Sequence, residues 1–147
     1  MNPMKHTLFF AIAASALLVS ACTTTPAPRP ACPSAQQMDQ PELLGRWQAS
    51  LRGQPGPVTL QLGPHPEWNG SVKGSIQRPA GRSIVVGDVD HGQLTLEESN
   101  DGKKVSGTWI GDVVEGSCAR EIRGEWLDEH DNNVPFVLRK AAAPAQQ

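Results

Sequence analysis

The chain has 147 residues, with 13 Lys and Arg against 15 Asp and Glu for a formal charge of −2, and with 14 Gly and 13 Pro. That balance leaves no basic excess, which excludes nucleic acid as a partner and excludes a polybasic face as the means of holding a membrane. The length suits a single core, and the Gly and Pro content on a chain with little helical periodicity points to many turns.

Residues 1–21 carry Lys5 near the start, an apolar run from Leu8 to Val19 and small residues before Cys22, which is the layout of a secretory signal. The run is too short to span a bilayer. The stretch Leu17-Leu18-Val19-Ser20-Ala21-Cys22 closely resembles the lipobox of bacterial lipoproteins. The resemblance implies diacylglyceryl transfer to the Cys22 thiol, cleavage before Cys22, and acylation of the new amino terminus, with palmitate as the expected chain. Thr23 follows the cysteine. By the same resemblance, the lack of Asp there implies sorting to the outer membrane rather than retention at the inner one. The competing reading is an ordinary cleaved signal with an incidental cysteine.

If Cys22 carries lipid, only Cys32 and Cys118 remain, an even pair in an oxidising compartment. A disulfide between them is expected, and two free thiols are the alternative. From residue 22 to residue 40 the composition is Thr, Pro, Ala and polar residues, read as a flexible tether in extended polyproline-like conformations. At Asp39-Gln40-Pro41-Glu42-Leu43-Leu44, a capping residue, a proline and two leucines predict one short helical turn. The folded domain is expected over residues 41–140, and residues 141–147 read as a disordered tail.

Beyond Leu44 the apolar period falls close to two. Trp47, Ala49 and Leu51 share one face of a first strand, and Val58, Leu60 and Leu62 share one face of a second. A third runs from Trp68 to Gln77, a fourth from Ser83 to Val89 and a fifth from Gln93 to Glu98. Asn100-Asp101-Gly102 is the strongest hairpin signal, because these residues tolerate the positive φ of tight turns. Lys103 to Gly111, Cys118 to Leu127 and Val134 to Arg139 follow. About eight strands joined by hairpin-length turns predict an all-β fold, a small antiparallel up-and-down barrel or a sandwich. Gly-x-Trp occurs at Gly45-Arg46-Trp47, Gly107-Thr108-Trp109 and Gly124-Glu125-Trp126, and glycine beside a bulky indole suits a strongly coiled sheet, which favours the barrel.

A Pro- and Leu-containing turn followed by Gly45-Arg46-Trp47 resembles the opening of lipocalins and other calycin-like barrels. The resemblance implies that Gly45 and Trp47 close one barrel end and that Arg139, on the last strand, stacks on Trp47. Avidin-like barrels and small secreted inhibitors of bacterial metalloproteases share the look. The absence of Tyr removes one biotin ligand of the avidins.

Asp88, Asp90 and His91 near one turn, and Asp128 to Asn133 in another, are acidic enough to suggest a cation but lack the remaining ligands of a calcium loop, so solvated turns are expected and no metal or cofactor is assigned. His65, His91 and His130 lie in turns, and no nucleophile has a base at a recognised spacing, so no enzymatic activity is expected. Trp68, after Pro64-His65-Pro66-Glu67, is the candidate partner contact. The expectation is an outer-membrane lipoprotein facing the periplasm, a non-enzymatic module that binds an envelope protein as assembly partner or hydrolase inhibitor. The alternative is a lipocalin-like carrier of a small apolar ligand.

Overall fold

The computed structural model describes residues 32–130 and 132–142. The signal, the lipobox, Cys22 and most of the expected tail lie outside the described residues. A 3-10 turn at Ala35–Gln37 and a short helix α1 at Gln40–Leu43 precede eight strands: β1 Gly45–Leu51, β2 Val58–Pro64, β3 Val72–Arg78, β4 Gly81–Asp90, β5 Gln93–Ser99, β6 Gly107–Val113, β7 Glu121–Asp128 and β8 Asn133–Lys140. Each strand pairs antiparallel with the next, and β8 returns to β1 to close an up-and-down barrel.

Alternation decides what lies inside. Trp47, Ala49 and Leu51 point inward from β1, Leu94 and Leu96 from β5, and Phe136 and Leu138 from β8, while their odd-numbered or even-numbered neighbours face water. The buried apolar residues form one cluster that includes Leu43 from α1 and fills the barrel. The Phe136 ring meets the Trp109 ring edge-on, with centroids 4.9 Å apart.

The three Gly-x-Trp segments serve the barrel in different ways. Gly45 has φ 109°, a conformation that an L side chain rarely adopts, and there the chain turns from α1 into β1. Gly107 makes room for the tryptophan of the neighbouring strand rather than for its own: a Cβ there would stand 2.5 Å from Trp126 Nε1. Gly124 faces Gly111 across β6 and β7, where a Cβ would come within 1.9 Å of the Ile110 carbonyl oxygen. These glycines allow the strands that carry Trp109, Trp126 and Phe136 to approach and coil.

The structure moves several boundaries. The segment expected as tether is part of the fold from Cys32 onward: the Ala35 N–H donates to the Glu115 carboxylate at 2.9 Å, and the Met38 side chain is only 2% exposed. One methionine among polar residues carries too little periodicity to signal a docked segment. Asp39 caps α1 by accepting from Gln40 N–H at 2.7 Å, and Glu42 answers by accepting from Asp39 N–H at 3.1 Å. Trp68 is not in a strand, since β3 begins at Val72 and residues 65–71 form a turn closed by His65 N–H donating to the Ser71 carbonyl at 2.9 Å. Strand β6 starts at Gly107 rather than Lys103. Strand β7 starts at Glu121, because Cys118 and Ala119 both have φ 56° and cannot be extended.

Candidate functional site

Odd strands run from the end that carries α1 toward the opposite end, so Arg78 at the end of β3, Glu98 at the end of β5 and Trp126 late in β7 meet at that opposite mouth. Parity turns all three inward: Arg78 follows Val72 and Ile76, and Glu98 follows Leu94 and Leu96. The Glu98 residue is 2% exposed and accepts five hydrogen bonds. Arg78 donates through both Nη atoms, the second at 2.8 Å; the Ser83 hydroxyl donates at 2.5 Å; Trp109 Nε1 donates at 3.0 Å and Trp126 Nε1 at 3.2 Å. The guanidinium also lies 5.8 Å from the Trp109 ring centroid and 5.5 Å from that of Trp126. Burial pushes the Glu98 carboxyl up, but the Arg78 and Ser83 hydrogen bonds, the Arg78 charge and the Trp109 hydrogen bond together hold it below the usual carboxylate range. A carboxylate with every lone-pair direction occupied is an anchor for two indoles and a guanidinium, not a free general base. Over this cluster lies an open cleft of about 450 Å³, rimmed by Gln54, Asn100, Glu129 and His130 among others.

At the α1 end, Trp47 is fully buried and its Nε1 donates to the Leu43 carbonyl at 2.8 Å. The cation over its face is Lys140, with Nζ 5.6 Å from the ring centroid, and not Arg139 as the lipocalin resemblance implied. The correction follows from parity: with Phe136 and Leu138 inward, residue 140 is the next inward position, and Arg139 faces out, 57% exposed, donating to Glu121 at 3.1 Å. Lys140 Nζ donates to the Glu42 carbonyl, and burial, with the Arg120 charge adding to it, pushes its ammonium below the ordinary lysine range. Gly45 sits at the mouth of the same end.

Cys32 and Cys118 are bridged, with Cα atoms 4.6 Å apart, so the segment that leads into the domain is fixed to the loop between β6 and β7. The two acidic turns do not converge on a cation site. His91 Nδ1 lies 2.6 Å from Asp90 Oδ1, with both side chains more than 80% exposed. Asp128 accepts from His130 N–H at 2.8 Å, and from the backbone and side-chain nitrogens of Asn132 at 2.9 and 2.8 Å, which closes its own turn; Asp131 lies outside the described residues. Among the described residues no three His, Cys, Asp or Glu side chains group to hold a metal.

Trp68, the expected partner contact, is 58% exposed. Its ring stacks on His65 with centroids 4.2 Å apart and planes 7° from parallel, and His65 Nδ1 accepts from both Glu67 N–H and Trp68 N–H at 3.1 Å. The ring is therefore held on the surface rather than folded under the rim. It borders a groove of about 380 Å³ on the outer wall of β3, β4 and β5, which sequence reasoning had not found. No known protein family and no curated protein matches the chain.

Proposed function

We propose that the protein is a lipid-anchored module of the bacterial outer membrane, facing the periplasm, that acts by binding another envelope protein and not by catalysis. The observation that carries the reading is the filled interior. Trp47, Leu60, Leu94, Leu96, Trp109 and Leu138 are fully buried in one packed cluster, and a cation on tryptophan stands at each end of it. A barrel whose lumen is occupied by its own side chains offers its outer wall and loops for recognition, whereas a carrier needs the lumen for its cargo. The saturated Glu98 supports a non-enzymatic role. The anchor rests on the lipobox resemblance of residues 17–22.

The experiment is to recover the full chain from envelopes in mild detergent, alongside Cys22→Ala, and to analyse both for bound protein and for bound small molecules. Wild type is expected in the outer-membrane fraction with a protein partner at fixed ratio, and Cys22→Ala in the soluble periplasm. A stoichiometric apolar small molecule with no protein partner would overturn the module in favour of the carrier. Cys22→Ala remaining in membranes after a salt wash would remove the anchor.

A further inference from the structure

Four large apolar side chains stand out as exposed among the described residues, Trp68, Ile84, Val105 and Ile110, and the first three line one groove. Ile84 and Val86 supply its floor from the outer face of β4, Trp68 borders it, and the loop after β5 folds back to make the far wall, so that a Cβ on Gly102 would come within 3.4 Å of Ile84 Cδ1. The lysines gather at the same place. The described residues hold Lys73, Lys103, Lys104 and Lys140, and the first three line this groove.

The loop is built to hold two of them there. Asp101 Oδ1 accepts from Lys103 N–H at 2.8 Å, Lys104 N–H at 2.9 Å and Ser99 Oγ at 3.2 Å, so its carboxylate is turned onto its own backbone while the lysine side chains stay available. Those backbone hydrogen bonds hold the Asp101 carboxyl below its usual range. The opposing charge that lines the groove from outside the barrel is Glu97, on β5 across from Val86, against three lysines. On a protein whose formal charge is −2, this is a local reversal of sign around the most exposed apolar surface.

We propose that this groove is the docking site for the partner protein, and that the partner inserts a segment in which one or two large apolar side chains are flanked by Asp or Glu. The proposal rests on the interaction-module reading above. The apolar floor with Trp68 supplies the anchor, and Lys73, Lys103 and Lys104 supply charge complementarity and steering. A concave slot walled by a folded-back loop fits a protein segment better than a flat lipid surface, and Glu97 inside it opposes an anionic headgroup layer.

The test places the photo-crosslinking residue p-benzoylphenylalanine at Val105 in the full chain, in its native envelope, with Gln48 on the opposite wall as comparison. Adducts are digested and the captured segment sequenced by mass spectrometry. The expected result is a protein adduct from position 105 whose captured segment is acidic and apolar. Its yield should fall by about tenfold or more in Lys103→Glu/Lys104→Glu and in Trp68→Ala, the range for losing an interface anchor. Circular dichroism of both variants should match wild type. A captured segment without acidic residues, a lipid adduct, or a yield unchanged by the charge reversal overturns the proposal. Adducts from position 48 alone overturn the groove while leaving the interaction module standing, and no adduct from either position counts against both.

Discussion

Removing the Arg78 guanidinium would leave Glu98 as a charge 2% exposed at the barrel mouth, held only by Ser83 and two indole N–H groups. Breaking a buried ion pair from one side costs about 3–5 kcal/mol, because the remaining ion keeps its desolvation penalty and loses its partner. Arg78 is 16% exposed and adjoins an open cleft, so Arg78→Ala belongs at the lower end, about 3 kcal/mol, with a fall in Tm of roughly 10–20 °C for a domain of this size. The pH dependence separates this account from simple loss of packing. In wild type the Glu98 pKa is lowered, so its contribution to stability is present above the ordinary carboxyl range and is lost as pH falls through the folded value. In Arg78→Ala the desolvation remains while the guanidinium is gone, so the pKa rises and the carboxyl takes up a proton on milder acidification. The deficit of the variant relative to wild type should therefore narrow from about pH 7 to about pH 4. Urea unfolding followed by tryptophan fluorescence at several pH values measures it. A deficit below about 1 kcal/mol, or one constant across that range, would refute the view that Arg78 neutralises a buried carboxylate.

At the other end, Trp47→Ala should cost about 3–5 kcal/mol and Lys140→Ala about 1–2, with the lysine effect falling in the Trp47→Ala background to what its hydrogen bond to the Glu42 carbonyl contributes. Arg139→Ala should add to Trp47→Ala without coupling, and a double-mutant cycle in urea distinguishes the two cations. Replacing Cys32 and Cys118 by Ser removes a bridge across 86 residues and should cost about 4–5 kcal/mol, read from the shift in urea midpoint; a loss under about 1 kcal/mol would mean that the unfolded chain gains little freedom when the bridge is cut.

The strands were legible because each has one wet face and one dry face, so Leu60 and Leu62 or Leu94 and Leu96 mark the period without help from distant residues. The same parity carries further than apolar residues alone suggest. Extended by one step it turns Arg78, Glu98 and Lys140 inward, and these three positions look unsuited to a core only while each is considered singly. Once Arg78 meets Glu98 across β4, or Lys140 covers the Trp47 ring, the charge is compensated, but that partner lies on another strand and local sequence does not name it. The lipocalin resemblance placed the cation at Arg139 against the parity of β8, and the parity prevailed. Trp68 reads as part of a strand for the opposite reason: Gly70, Val72, Gly74 and Ile76 alternate, yet Gly70 has φ 83° and belongs to the turn. The groove beside Trp68 depends on a loop folding back across the outside of β4, a contact that leaves no periodic trace.

The two barrel ends satisfy their tryptophans in different ways. Each end places a cation on a tryptophan, but at the α1 end the indole N–H is satisfied by a backbone carbonyl, whereas at the far end both indoles depend on one side-chain carboxylate. The far end is thus the one that weakens on acidification, and the last groove wall, residues 99–105, springs directly from the residue after Glu98. The loop is also tied to Glu98 itself, since Ser106 N–H donates to the Glu98 carbonyl at 2.7 Å. Disturbing the Arg78 pair therefore reaches the groove through one residue of backbone, while disturbing Trp47 reaches it by the longer path through α1, whose Gln40 side chain donates to the Ser71 carbonyl in the turn that carries Trp68. If the groove is the docking site, Arg78→Ala should weaken docking beyond what its loss of stability explains, and by more than Trp47→Ala does, as read from the crosslinking yield at position 105.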